Sequence, residues 1–299
     1  MESNSLNPAT FPKTLGHGAD SYLQVIPANQ YHADLEILSC SMLKPMLVSP
    51  AHYIEAMLTK KRSAAMDHGT LLHTLVLEPH DAPNVMAVFP GSLKSPEGKQ
   101  FAAQNLDRIC ISMVDLLLLK VAAEKVRRSL FRGRPFFKFI EEGIVEPGIY
   151  YTDPTTGLQC RIRPDLLHPE FTFDLKSSRH ASAAHFQQDA VAMHYDLQSF
   201  MYSLARRIFE GPTAMKPFVF VKVESSAPHS VHFMPASKAF LENGYQKYAA
   251  AMAGIKACQV ADLWPSEQGE VEMDLHPWQA YRANASAWST PPALLDEEG

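Results

Sequence analysis

The sequence predicts a mixed α/β domain: a central sheet flanked by helices, with an α-helical lobe at the N-terminal end. Three observations carry this expectation. Apolar residues recur at helical spacing up to about residue 130. From Gly148 the period shortens to two. Helical periodicity then returns on either side of one more apolar run, residues 217–223. The 299 residues, 46% of them hydrophobic, suffice for a real core.

The elements follow in order. Residues 1–30 hold Pro8, Pro12, Gly16, Gly18 and Pro27 without a sustained period, and an irregular arm is expected there. Ser39 can cap a helix running through Leu43. Ser49-Pro50 opens another, with Ser at the N-cap and Pro at the first helical position. Residues 64–77 place Leu71, Leu72, Leu75 and Val76 on one helical face, and Glu78-Pro79 closes the helix. A long helical region with a break is expected over 96–130. Asp153-Pro154-Thr155-Thr156-Gly157 is turn chemistry between strands at 148–152 and 158–163, which makes a hairpin. The second of these strands is read as continuing to Asp165, and a third covers 171–176. Helices are expected over 181–190 and 195–209, strands over 217–223 and 230–233, and a helix over 237–258. One domain over 31–285 and a flexible acidic tail over 286–299 complete the expected organisation.

Composition narrows the function classes. The formal net charge of -5 gives no general attraction for nucleic acid, so any such contact must come from a local basic patch. Cys40, Cys110, Cys160 and Cys258 form no CxxC pair and match no zinc or iron–sulfur spacing. They read as reduced thiols of a cytoplasmic protein. No apolar leader is visible, and the most apolar stretch, 114–123, is interrupted by Asp115 and Lys120 and too short to cross a bilayer.

Alternation places the chemistry. Arg161, Arg163 and Asp165 are expected on one face of their strand, and Asp174 and Lys176 on one face of the next. If the polar faces align, two acids and a lysine converge, which is costly without a job or a partner. The job they suit is phosphodiester hydrolysis. Asp165 and Asp174 supply hard oxygen ligands for Mg²⁺, with Mn²⁺ as a substitute, and the Leu175 carbonyl between the working side chains adds another. Lys176 can orient or help deprotonate a water and offset charge on the phosphate. A second candidate is the basic stretch 120–138, where seven Lys and Arg residues interleave with Phe131, Phe136, Phe137 and Phe139. It suits a phosphate backbone with base stacking, or equally a solvated helix over core aromatics.

Pro164-Asp165, eight residues, then Asp174-Leu175-Lys176 resembles the PD-(D/E)XK nuclease signature. Gly69-Thr70-Leu71-Leu72-His73 followed by Leu77-Glu78-Pro79 resembles the block that precedes this core in RecE-type exonucleases (exonuclease VIII). Residues 195–202 resemble the QxxxY helix of the RecB-like branch, and residues 38–44 with 49–53 resemble that group's opening. The resemblance spans residues 30–210 and implies a PD-(D/E)XK central mixed sheet. It implies Asp165 and Asp174 as metal-binding acids, Lys176 as the catalytic lysine and His73 as a further metal ligand. Gln198 and Tyr202, four apart on one helix face, would border the active site and DNA. Ser177 and Ser178 match a small-hydroxyl position near a phosphate, and Arg161 and Arg163 are placed to grip the backbone or a 5′ phosphate. Asp196 departs from the pattern, which often has His there. The implied activity is 5′→3′ digestion of double-stranded DNA ends to leave 3′ single strands. It would act in phage or prophage recombination, as a ring-shaped homo-oligomer beside a single-strand annealing protein and without a membrane. The alternatives are an endonuclease, a Cas4-like nuclease, which would need a four-cysteine cluster, or a non-catalytic DNA-binding scaffold.

Overall fold

In the computed structural model, residues 21–59, 63–211 and 216–266 are described. The N-terminal lobe holds β1 (Ser21–Gln24) and the helices α1 (Ala28–Ala33), α2 (Cys40–Met46), α3 (Pro50–Leu58) and α4 (Ala64–Leu77). Ser49 caps α3 as the sequence suggests, accepting from the His52 amide, and Ser63 caps α4 by accepting from the Met66 amide. Next come α5 (Ala82–Val85), β2 (Met86–Phe89), α6 (Pro96–Gln104), β3 (Ile109–Ser112) and α7 (Met113–Arg128). The expected helical region over 96–130 is therefore divided by a strand. Ile109 and Ile111 enter the core from β3, which pairs in parallel with β2.

The remaining strands are β4 (Leu130–Phe131), β5 (Arg134–Pro135), β6 (Ile144–Val145), β7 (Gly148–Thr152), β8 (Gln159–Ile162), β9 (Leu166–Leu167), β10 (Thr172–Ser178), β11 (Phe218–Glu224) and β12 (Val231–Pro235). The remaining helices are α8 (Phe136–Glu142), α9 (Ala183–Ala192), α10 (Tyr195–Glu210) and α11 (Lys238–Ala261). The central sheet runs β12-β11-β10-β9-β6, and β1-β7-β8 is a separate three-stranded sheet. The sequence reading let the hairpin strand run to Asp165 and pair with β10. Instead β8 ends at Ile162, and the chain crosses to the central sheet at Pro164, which has no amide proton for a ladder. Part of the expected irregular arm is also ordered: β1 pairs antiparallel with β7, and Tyr22 stacks on Tyr150 at 4.7 Å. Residues 1–20 and the expected tail 286–299 lie outside the described residues.

β10 and β11 pair in parallel and are buried along most of their length. Helices cover both faces, as a parallel pair requires. On one face Phe173, Leu175, Val219, Val221 and Val223 pack with residues of α4, α7 and α8. On the other, Phe218 and Phe220 pack with residues of α2, α10 and α11. Gly244 lets α11 press on α10: a Cβ there would come within 2.0 Å of the Asp196 carbonyl oxygen. The described residues up to Pro265 form one compact unit. Among the described residues no helix is long and apolar enough to cross a membrane.

The basic stretch 120–138 resolves into core and surface. Phe131, Phe136 and Phe139 are buried and pack edge-on against Phe171 and Phe173. Arg128 pairs with Glu124, Arg134 with Glu142 and Lys138 with Glu141, while Arg127 donates to the Val76 carbonyl. Three of the four rings are thus withdrawn from stacking on bases, and the half-buried Phe137 lies under Lys138.

Candidate active site

β9 and β10 deliver two acids to one point. Leu166 pairs with Phe173 in antiparallel register, which sets Asp165 across from Asp174. The Leu175 amide donates to Asp165 Oδ2 at 2.5 Å and fixes that carboxylate against the strand. Phe173 and Leu175 take one face of β10, so Asp174 and Lys176 fall on the face covered by α10. From α10, Gln198 Nε2 donates to Asp174 Oδ2 at 2.6 Å. Tyr202, one turn on, donates its hydroxyl to the Arg163 carbonyl at 3.1 Å. The Tyr195 ring centroid lies 5.0 Å from Lys176 Nζ. From the other side, α4 brings His73, whose Nε2 lies 3.0 Å from the Leu175 carbonyl and 3.4 Å from Asp165 Oδ2.

The charges here are crowded and incompletely matched. Burial, then the neighbouring Asp174, pushes the Asp165 carboxyl up to about 7, against the opposing pull of His73 and Lys176. Burial works against the Lys176 ammonium too, but Asp174 and Asp165 outweigh it and hold its pKa above the ordinary lysine value. The two acids thus favour the charged form of Lys176. It touches Asp174 Oδ1, yet off the direction of a good hydrogen bond, so that buried oxygen has no hydrogen-bond partner.

A buried carboxylate oxygen met by an ammonium group but by no hydrogen bond, beside a second acid held near neutrality, fits a divalent cation. The Leu175 carbonyl and His73 Nε2 stand at the same point. Among the described residues, no three His, Cys, Asp or Glu side chains are already arranged as a metal cluster. The site instead closes on itself, with His73 donating Nε2–H to Leu175 and Asp174 taken up by Gln198 and Lys176. For His73 to serve as a ligand through that nitrogen, its proton must move to Nδ1.

The other expected residues divide. Gln198 and Tyr202 border the site but hold its frame: one fixes Asp174, the other the backbone just before Pro164. Arg161 was expected to grip DNA, but it is 2% exposed, lies under Tyr31 and spends its guanidinium on Asp34. It was also expected on the face of Asp165, and the crossing between sheets separates them. Arg163 is partly exposed and paired with Glu146. Ser177 lies beside Gly69 of α4, and Ser178 caps the following turn by accepting from the His180 amide. Asp196 is fully buried and binds Lys247 and Asn243, so it structures the α10–α11 contact. Sequence reasoning missed Tyr195; its signal was its place three residues before Gln198, on the same helix face. Glu146, paired with Arg163, also raises the Asp165 pKa.

Two acids and a lysine on adjacent strands, flanked by a QxxxY helix, define the PD-(D/E)XK class. The chain belongs to a family described as a PDDEXK-like domain of unknown function (DUF3799), whose model matches residues 39–276. A crystal structure of a Eubacterium rectale protein described as a candidate exonuclease is similar in fold. The TM-score is 0.57 at 13% identity, over 87% of this chain and 99% of that one. No curated protein matches the chain in sequence.

Proposed function

We propose that this protein is a Mg²⁺-dependent deoxyribonuclease that digests double-stranded DNA from its ends. The single observation that carries the reading is the convergence of Asp165, Asp174, Lys176, His73 and the Leu175 carbonyl on one partly exposed point. Asp165, Asp174, the Leu175 carbonyl and His73 would hold the cation. The bound ion would supply Lewis-acid polarisation of the phosphodiester and offset charge on the leaving oxygen. Lys176, held charged by its two acids, stabilises the extra negative charge that builds on the phosphorus-bound oxygens. Gln198 keeps Asp174 in one rotamer, and the Leu175 amide does the same for Asp165.

The finer reading is a 5′→3′ exonuclease of phage or prophage recombination type, working as a ring-shaped oligomer beside an annealing protein. Its support is the motif order along the chain and the E. rectale neighbour's description. The buried cysteines fit a Cas4-like alternative poorly: Cys40, Cys160 and Cys258 are all buried and free.

The test uses purified protein, Mg²⁺ or Mn²⁺, and linear or covalently closed circular duplex. Loss of linear DNA alone, abolished by Asp174→Ala, is expected; 5′- and 3′-end labels then give the polarity. Cutting of circles overturns the exonuclease reading in favour of an endonuclease. No cutting with either ion, with DNA binding retained, overturns the enzyme in favour of a scaffold.

A further inference from the structure

A second lysine stands beside the catalytic one, and its charge is not matched. Lys44 leaves α2 on the side opposite the buried Met42, Leu43 and Met46, and its Nζ donates to the Met193 carbonyl at 2.9 Å. Its ammonium lies 5.2 Å from the centroid of the Tyr195 ring, and Lys176 Nζ lies 5.0 Å from the same centroid. The two ammonium groups are thus at most about 10 Å apart, so they can reach phosphates no more than about three nucleotides apart along one strand of duplex.

The nearby acids are already committed. Asp174 faces Lys176 and Gln198. Asp196 is bound by Lys247 at 2.8 Å and by Asn243. Cys40 is a buried thiol held in its neutral form. Among the described residues no carboxylate pairs with Lys44, and burial draws its pKa down, as expected of an ammonium without a counter-charge. A half-buried, unmatched charge next to a site for a polyanion is a standing attraction for one more anion.

We infer that Lys44, seated against Tyr195, is a phosphate subsite that binds a backbone phosphodiester next to the one engaged at Lys176. The ligand class is the phosphodiester of a nucleic-acid strand. Tyr195 links the two points, since its ring faces both ammonium groups. This subsite rests on the nuclease reading for its position relative to the scissile bond, though its affinity for phosphate does not depend on hydrolysis.

Binding of the full chain to a short labelled duplex is therefore measured in EDTA, where nothing is cut, over a series of salt concentrations. Lys44→Gln is expected to weaken binding roughly tenfold at 0.1 M salt and to lower the slope of log affinity against log salt by about 0.9, one phosphate contact. Lys44→Arg, which keeps the charge, is expected to restore both. Tm is followed on the same samples, because Lys44 also caps the Met193 carbonyl. A fall in Tm with an unchanged salt slope makes Lys44 a structural cap and overturns the subsite. Hydrolysis of linear DNA by the unmodified protein, read separately with Mg²⁺, keeps the two claims apart. Cutting with an unchanged slope sinks the subsite alone, whereas no cutting with the expected loss of slope sinks the nuclease reading alone.

Discussion

Two regions of this chain concentrate charge and aromatic side chains, and they differ in one respect. Along 120–138, Arg128, Arg134 and Lys138 each have an acidic neighbour, and three of the phenylalanines are packed into the core. At the junction of β9 and β10 the opposite holds. Two carboxylates share a small space, one oxygen has no hydrogen-bond partner, and one acid is held near neutrality by its surroundings. The lesson is that charge density in a sequence does not mark a site. What marks one is charge that the fold buries and leaves unmatched, since that arrangement costs stability until a ligand arrives.

The comparison can be broken by exchange of roles. Asp174→Ala is expected to reduce hydrolysis by at least about 10³-fold, on the order of 4 kcal/mol in transition-state stabilisation, while circular dichroism shows the fold intact. Phe136→Ala should do the reverse. It empties a fully buried ring site and is expected to cost about 3–5 kcal/mol in denaturant melts, with DNA affinity per folded molecule unchanged. If instead Phe136→Ala lowers affinity at full folding, the stretch 120–138 is a binding surface after all.

Asp165→Asn sharpens the contrast through pH. A carboxyl whose folded pKa is raised above its unfolded value costs stability once pH exceeds the unfolded value. The metal-free protein should therefore lose stability between about pH 4 and pH 7 and level off above. Asp165→Asn removes that loss. It is expected to raise stability of the metal-free protein at pH 8 by about 2 kcal/mol while abolishing cleavage. The same protonation must be reversed for a cation to bind, so Mg²⁺-dependent gain in Tm should fade as pH drops below about 7. An unchanged or lower Tm in Asp165→Asn at pH 8 would show that ionising Asp165 does not cost the fold stability. Gln198→Ala should reduce Mg²⁺ affinity or rate by 10–100-fold, the usual range when a partner of a metal-binding carboxylate is lost. Smallest of all, Lys138→Ala should change stability by less than about 1 kcal/mol and DNA binding not at all, since its ion pair with Glu141 is exposed.

Much of the fold was legible because strong local signals agreed. The helix 64–77, with its Ser63 cap and Glu78-Pro79 stop, has the expected bounds. β11 is read directly from an apolar run too short for a helix and buried on both faces. β3 was missed because four residues joined directly to a capped helix give no period of their own. The pairing error at Asp165 has a different cause. Alternation assigns faces within a strand but cannot say where a chain leaves one sheet for another, and Pro164 was read as motif rather than as a break. The acids and lysine were named from their types and order, yet the partners that give them character, Tyr195 and Glu146, lie far away in sequence. Burial made Arg161 unavailable, and no local pattern announces that a strand arginine will lie beneath a tyrosine from a distant helix.

The position of Arg161 bears on where this molecule can be cut. The match to the family begins at residue 39, but the buried guanidinium is answered by Asp34 and Tyr31, and Leu38 bonds to the edge of β8 at Gln159 and Arg161. A polypeptide begun at residue 39 would leave a cation sealed in the interior without its acceptor. The minimal autonomous unit is thus expected to include the residues upstream of the family boundary from β1 on, and trimming to that boundary should yield insoluble material rather than a smaller working protein.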